Sequence, residues 1–298
     1  MQQASSIKLV MTLMVLGVGL HGQDLTITGF VDGSTALPVS DGTNLEFSFD
    51  QLEIDLEKTL GDGISLRADI DLVEGGADVE QAYVTVAGMT FGKFNAPIGW
   101  ELLDAPDMYQ FSHTLVFDYA LPTNLVGFSY ARKLGAGLDG VVYVANGWDL
   151  NYADDGQPIF GGRLGYGGVE GLNVGLSAIQ NNDLDLVIDV DATLTMVENL
   201  LIGLEVNQGG YAKDELGWMV MANYSIPGTP FAVTLRQDGL GGAGTTTISP
   251  SYSFANGAGV LFEFRTGKFL DDNGVLLVDD NGDPLTINEA AIEFTFSF

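Results

Sequence analysis

The sequence predicts an all-β fold, a transmembrane antiparallel up-and-down β-barrel of about sixteen strands with a long third loop. Three observations support this prediction. Apolar and polar residues alternate along most of the chain after residue 24, and tight turns alternate with longer connections. The composition is also strongly acidic, although the mean hydropathy is positive at +0.21. Apolar and acidic side chains must therefore lie on opposite faces of the same strands.

The composition excludes several classes of function. The 298 residues include 40 acidic and 11 basic side chains, which gives a net charge of −29. Such a surface repels phosphate groups, so nucleic acid is not expected as a partner. The chain has no cysteine, so it can form neither a disulfide framework nor a Cys-ligated metal site. Hydrophobic residues make up 46% of the chain, which is enough for an ordered structure despite the charge.

The first residues have the pattern of a secretory signal peptide. Lys8 precedes an apolar run from Leu9 to Leu20, and Gly22 and Gln23 follow as a cleavage position. The run is too short for a spanning helix, which needs roughly 20 residues. We therefore predict a secretory signal peptide at 1–23 and an outer-membrane β-barrel at 24–298. No later segment is continuously apolar over about 18 residues, so the sequence predicts no transmembrane helix.

The alternation gives each predicted strand one apolar and one polar face. Ile64, Leu66 and Ile70, for example, interleave with Arg67 and Asp69. A soluble β-sandwich also alternates, but here nearly every strand has a fully polar second face and no buried helix is predicted to cover the apolar faces. In a membrane barrel the apolar faces contact lipid and the acids line the lumen.

Turn residues divide the chain into about sixteen strands. The predicted strands lie near 24–32, 45–58, 63–73, 79–87, 89–95, 125–133, 139–148, 159–167, 171–180, 183–195, 200–209, 214–225, 231–238, 244–254, 259–269 and 286–298. The number falls to twelve or fourteen if the weaker segments at 79–95 are not strands. The last strand carries Phe294, Phe296 and Phe298 on one face, which resembles the terminal recognition strand of outer-membrane proteins.

The connection at 96–124 is the longest and the least strand-like. Loops of this length are usually functional, and a barrel of about sixteen strands otherwise encloses an open channel. We predict that this loop folds inward and narrows the lumen; the alternative is a surface loop that caps the barrel. The candidate residues of the constriction are Trp100, Glu101, Asp104, Asp107 and Tyr109.

The inward positions of the predicted strands give a candidate lumen wall. They are Glu53, Asp55, Arg67, Asp69, Asp71, Arg163, Asp189, Arg236, Glu263 and Arg265. Rings of carboxylates favour cations in a pore. Salt screens charges within about 8 Å at physiological strength, so we predict a modest cation preference. If the arginines face the acids of the third loop, they create a transverse field that favours dipolar solutes.

Four short segments around the third loop carry a family resemblance. DVEQAYV at 78–84 and GKFNAPIGWE at 92–101 precede the loop or begin it, and YALP at 119–122 and VGF at 126–128 follow. Together they resemble the β-barrel porin family of the OmpL-like type. The resemblance implies an outer-membrane pore, and it brings neither catalytic residues nor a substrate with it.

Neither a cofactor nor an enzymatic activity is expected. Asp279, Asn281 and Asp283 place oxygen atoms at alternate positions, as a calcium loop does, but no Glu occupies the bidentate position and a plain turn is the preferred interpretation. His113 lies beside Ser112, and adjacent residues rarely form the hydrogen bond of a catalytic dyad.

The leading interpretation is a bacterial outer-membrane porin in contact with lipid, which passes small hydrophilic or cationic solutes and is compatible with a homotrimer. One alternative is a structural or adhesive outer-membrane barrel without an open pore; a low strand number would favour it, because about eight strands leave no channel. A second alternative is a secreted acidic β-sandwich binding protein.

Overall fold

A computed structural model describes residues 25–39, 44–61, 63–73, 75–152, 157–210, 215–271 and 273–298, and the predicted signal peptide lies outside these residues. The strands are β1 Thr26–Ala36, β2 Glu46–Gly61, β3 Ile64–Val73, β4 Gly76–Val86, β5 Met89–Asn95, β6 Asn124–Gly135, β7 Leu138–Trp148, β8 Ile159–Val169, β9 Leu172–Gln180, β10 Leu186–Val197, β11 Leu200–Gln208, β12 Leu216–Ser225, β13 Phe231–Leu240, β14 Ala243–Ser253, β15 Ala258–Lys268 and β16 Ile287–Ser297. One α-helix, α1, spans Leu115–Ala120.

The sixteen strands form a closed antiparallel barrel in which each strand pairs with its neighbours in sequence and β16 pairs with β1. At the closure the backbone N–H of Phe298 donates to the carbonyl of Gly29 at 3.0 Å. The predicted up-and-down barrel is therefore confirmed, and both segments in 79–95 are strands. A closed barrel also excludes the β-sandwich alternative. In the part of the chain that the structure describes, no helix has the length and hydropathy needed to cross a membrane.

The outer face of the barrel is apolar and exposed. Large hydrophobic side chains project from outward positions around the whole circumference, including Phe47, Phe91, Val142, Phe160, Leu186, Leu235 and Phe294. Exposed apolar area of this extent is suited to lipid rather than to water.

The inner face is not fully polar, which corrects one expectation. A cluster of buried apolar side chains lies on the inner side of β5 to β10, and it consists of Phe94, Leu125, Tyr143, Ala145, Ile159, Ile179 and Val187. Ala96 and Ile98, from the connection after β5, pack against it. The cluster therefore gives this connection an apolar surface to contact, which alternation within single strands cannot reveal.

The connection between β5 and β6, residues 96–123, is called loop 3 below. It contains a 3-10 turn at Ala105–Asp107 and then α1, whose N-cap Thr114 accepts a hydrogen bond from the Phe117 N–H at 3.1 Å. The helix buries Leu115 and Val116 in a second apolar cluster, with Ala120, Leu121, Leu240, Ala243 and Leu270. Loop 3 thus lies against the inner wall of the barrel.

Candidate functional site

Polar contacts attach loop 3 to the inner wall of β10, β13 and β15. The Trp100 indole N–H donates to Thr193 Oγ1 of β10 at 2.9 Å. The Ser112 N–H donates to Glu263 Oε2 of β15 at 3.1 Å, and the Leu115 N–H donates to a carboxylate oxygen of β13 at 2.9 Å. The loop is therefore fixed on one side of the lumen, and open space remains along the opposite wall.

Arg236 of β13 makes the largest number of these contacts. Its side chain is only 1% exposed and lies in ion pairs with Glu101 at 3.1 Å and with Asp238 at 3.4 Å. Its guanidinium also donates to the carbonyl and hydroxyl oxygens of Ser112 at 2.6 and 3.0 Å and to the carbonyl of His113 at 3.1 Å. The planar fork of an arginine suits such multiple donation. Arg236 therefore holds loop 3 in place and is not exposed to the lumen.

Trp100 packs on a glycine of the wall. A Cβ atom at Gly203 of β11 would lie 2.4 Å from Cζ2 of the Trp100 ring, so only glycine leaves room for the indole. The ring of Tyr109 lies 6.1 Å from that of Trp100. Of the predicted constriction residues, Trp100 and Glu101 thus contact the wall and Tyr109 contacts Trp100.

The remaining two, Asp104 and Asp107, line an open cleft between loop 3 and the inner side of β3 to β7. The cleft has a volume of about 530 Å³ and also borders Arg67, Gln81 and Tyr83. Arg67 is the only basic residue among the described side chains that line it. The cleft is the part of the lumen in which acids of the loop face the wall across open space.

The arginines do not form a set opposite the acids of loop 3, which corrects the expectation of a transverse field from several arginines. Arg67 pairs with Asp69 at 2.8 Å and with Asp55 at 3.3 Å, and Arg163 pairs with Asp191. Arg236 is buried under the loop. Arg265 lies 3.8 Å from the carboxylate of Asp238 and over the ring of Phe269. Each of these four arginines is thus engaged by an acid on the inner face of its own strand or of a nearby one.

The pKa of the Asp104 carboxyl lies well above its ordinary value. Burial in the cleft, followed by repulsion from Asp107 and Asp55, raises the pKa of Asp104 from 3.8 to about 6, although Arg67 opposes the shift. The charge at this point of the cleft therefore depends on pH near 6.

The other predicted wall residues lie on the inner face with buried carboxylates. Glu53 is 1% exposed, Asp69 and Asp189 are 0% exposed, and Glu263 is 3% exposed. Asp55 and Asp71 are half-buried beside them, opposite Asp69 and Glu53 in the β2–β3 register.

Alternation missed the inward position of Glu80. Since Gln81 and Tyr83 of β4 face the lumen, strict alternation turns Glu80 toward lipid. A register shift between Asp69 and Ile70 leaves Glu80 without a partner in the β3–β4 ladder, and both Glu80 and Gln81 are buried. Such a β-bulge redirects a side chain. No residue pattern around 80 marks the bulge in advance.

The remaining candidates fall in turns or in loop 3. Asp279 Oδ1 accepts hydrogen bonds from the backbone N–H groups of Asn281 and Asp283 at 2.8 and 3.0 Å, and these bonds lower the pKa of Asp279. This carboxylate therefore closes an Asx-type turn.

Ser112 and His113 do not face each other. Ser112 Oγ is held by Arg236, whereas the His113 ring stacks on Phe117 at a centroid distance of 3.9 Å. His113 Nε2 lies 3.2 Å from the carbonyl oxygen of Leu102. The two side chains are thus committed to different partners, which does not suit a catalytic dyad.

A closed barrel of sixteen antiparallel strands, with a long loop against its inner wall and acids along the remaining lumen, defines the class of outer-membrane porins. The sequence agrees with this class. Residues 32–224, more than half of the chain, match the model of the family described as "Putative beta-barrel porin-2, OmpL-like", and the chain belongs to this family. It is accordingly a protein of the bacterial outer membrane.

Solved porins have the same fold at low sequence identity. OmpF of Salmonella typhi, in complex with daunomycin, has a TM-score of 0.67 and 14% identity over 93% of this chain and 98% of its own. In-vitro-folded OmpT of Vibrio cholerae, in a trimer form, has a TM-score of 0.62 and 12% identity over 93% and 100% of the chains. The anion-selective porin of Comamonas acidovorans has the same four values. No curated protein sequence matches the chain. Since one of these porins is anion-selective, the shared fold does not fix the sign of selectivity.

Proposed function

We propose that this porin allows passive diffusion of small hydrophilic solutes with a modest preference for cations, through the cleft between loop 3 and β3 to β7. The excess of acidic over basic side chains in the cleft supports the proposal. Asp104 and Asp107 face a wall on which Arg67, the one base that lines the cleft among the described residues, is already paired with two aspartates. A cation in the cleft meets an excess of carboxylates, and an anion is repelled.

An open pore is favoured over a structural barrel by the strand number. About eight strands leave no channel, whereas sixteen enclose a lumen wide enough for water. Loop 3 occupies one side of this lumen, and the cleft of about 530 Å³ lies on the other side. We therefore expect small solutes to pass the loop through this cleft and larger ones to be excluded.

The test is the reversal potential of single channels of the mature protein in a planar bilayer with a KCl gradient. We expect a potential that favours K⁺, and we expect the double variant Asp104→Asn/Asp107→Asn to reduce it. The variant Asp271→Asn/Asp279→Asn is the matched control, because it removes the same charge from exposed turns. A folded, inserted barrel that does not conduct would overturn the proposal and favour the structural barrel.

The proposal also includes maturation and assembly. We propose that residues 1–23 are removed as a signal peptide and that the barrel forms a homotrimer, as the OmpT structure described in a trimer form does. N-terminal sequencing of protein from outer membranes tests the first point. Light scattering of the detergent-solubilised protein tests the second, and a monomeric mass would contradict it.

A further inference from the structure

Three carboxylates on adjacent strands converge on one point of the inner wall. Glu53 of β2, Asp71 of β3 and Glu80 of β4 each offer an oxygen, and these oxygens all lie within 4.8 Å of one another. Glu53 is 1% exposed and Glu80 is 8% exposed. Glu53 Oε1 and Glu80 Oε2 are buried and accept no hydrogen bond from the described residues. Leaving buried carboxylate oxygens without partners is costly, so the arrangement favours either shared protons or a positive ligand.

The backbone is distorted to bring the third carboxylate there. Glu80 reaches the lumen only because of the bulge at the β3–β4 register shift between Asp69 and Ile70. Lys93 Nζ of β5 donates to the backbone carbonyl of Val79 beside the bulge, at 2.9 Å. Bulges of this kind occur where a side chain is redirected for a purpose. A regular ladder would place Glu80 against lipid and leave only two carboxylates.

The neighbouring groups orient these carboxylates without neutralising them. Gln51 Nε2 donates to Glu53 Oε2 at 3.1 Å and to Asp71 Oδ1 at 2.7 Å, so one amide holds two of the three groups. Arg67 is paired with other acids, Asp55 and Asp69. Among the ion pairs of the described residues, none includes Glu53, Asp71 or Glu80.

We propose that Glu53, Asp71 and Glu80 form a binding site for a divalent cation of the Ca²⁺ type. The donors are all oxygens, which hard cations prefer. Ca²⁺–O distances of about 2.3–2.6 Å place opposite ligands up to about 5 Å apart, so oxygens within 4.8 Å of one another are close enough to share one such ion. Mg²⁺ requires a tighter octahedron, with bonds of about 2.0–2.1 Å. The inference goes beyond the proposed function, because an ion bound in the wall need not permeate.

The experiment is a calorimetric titration of the full mature protein in detergent with CaCl₂, after EDTA treatment, in about 0.1 M KCl. We expect one Ca²⁺ per chain, with affinity reduced by about tenfold or more in Glu80→Gln, since one of three protein ligands loses its charge. Glu57→Gln is the matched control: Glu57 lies on the same face of β2, nearer the short turn and outside the three carboxylates, and its loss should leave the affinity unchanged.

The possible results distinguish failure of the Ca²⁺ site from failure of the proposed cation-preferring pore. If the native protein does not bind Ca²⁺, the carboxylates share protons instead and the proposal is overturned; equal affinity in Glu80→Gln also overturns it. Where Glu80→Gln does not give a folded barrel by circular dichroism, Asp71→Asn makes the same test. Reversal potentials in EDTA measure cation preference separately. Ca²⁺ binding to an anion-preferring pore would overturn the proposed function alone, and cation preference without Ca²⁺ binding would overturn this inference alone.

Discussion

Arg236 shows how one buried side chain can position a whole loop. Replacing it by Met removes its contacts with Glu101, Ser112 and His113, leaves the carboxylate of Glu101 without an ion pair, and leaves Asp238 with Arg265 alone. Breaking a buried ion pair costs about 3–5 kcal/mol, so loop 3 should detach while the barrel stays closed. We expect Arg236→Met channels to have larger and noisier single-channel conductance than the native protein.

The control for this prediction is Arg132→Met, which removes an exposed arginine of β6. Its conductance should match that of the native protein. Native conductance in Arg236→Met would show that the apolar packing of loop 3 is sufficient by itself to hold it.

The raised pKa of Asp104 predicts that ion selectivity depends on pH. Its pKa is raised from 3.8 to about 6, so the group is neutral at pH 5 and charged at pH 7. The permeability ratio of K⁺ to Cl⁻ should therefore rise between these values, and Asp104→Asn should reduce the step. Asp107→Asn should keep a step but move it to lower pH, because Asp107 is one of the charges that raise the pKa of Asp104. A ratio that does not change with pH in the native protein would contradict the assignment.

At the scale of elements, the contact between β11 and loop 3 depends on Gly203, which has no side chain to block the Trp100 ring. Gly203→Val would place a Cβ where the Trp100 ring lies, 2.4 Å from Cζ2. The indole must move and lose its hydrogen bond to Thr193. We expect a loss of about 1–3 kcal/mol in the free energy of unfolding, typical of overpacking, and a change in tryptophan fluorescence.

A double-mutant cycle provides the control. With Trp100→Ala in the background, Gly203→Val should cost much less, because no ring occupies the space. An equal cost in both backgrounds would place the strain elsewhere on β11.

The strands were predictable from the sequence because each separates two different environments. Lipid outside and water inside impose alternation on every strand, so all sixteen appear in the pattern of single residues. The inner apolar cluster of Phe94 and Tyr143 was not predictable, since it depends on which loop packs there. Nor was the inward position of Glu80, because a bulge shifts the register without any marker in the residues. Glu101 was predicted in the constriction, but its burial with Arg236 depends on a strand far away in sequence.

At the scale of the molecule, the charged side chains of the strands lie mainly on the inner face of the barrel. The apolar faces point outward, and the acids of β2, β3, β4 and β10 point inward together with most of the arginines. Loop 3 then divides the lumen into a packed side, where Arg236 and Arg265 are buried, and an open side, where Arg67 is outnumbered by acids. We therefore expect the position of loop 3 to set the sign of selectivity, and the fold shared with an anion-selective porin is compatible with either sign.

This division predicts how selectivity responds to salt. The Debye length falls from about 10 Å at 0.1 M salt to about 3 Å at 1 M. If water separates the passing ions from the carboxylates, the K⁺ preference should decline strongly over this range. Reversal potentials at one fixed concentration ratio, measured at both mean concentrations, test this. An undiminished preference at 1 M would mean that ions touch the carboxylates of Asp104 and Asp107 directly, as in a narrow filter, and a Cl⁻ preference at 0.1 M would contradict an acid-dominated path.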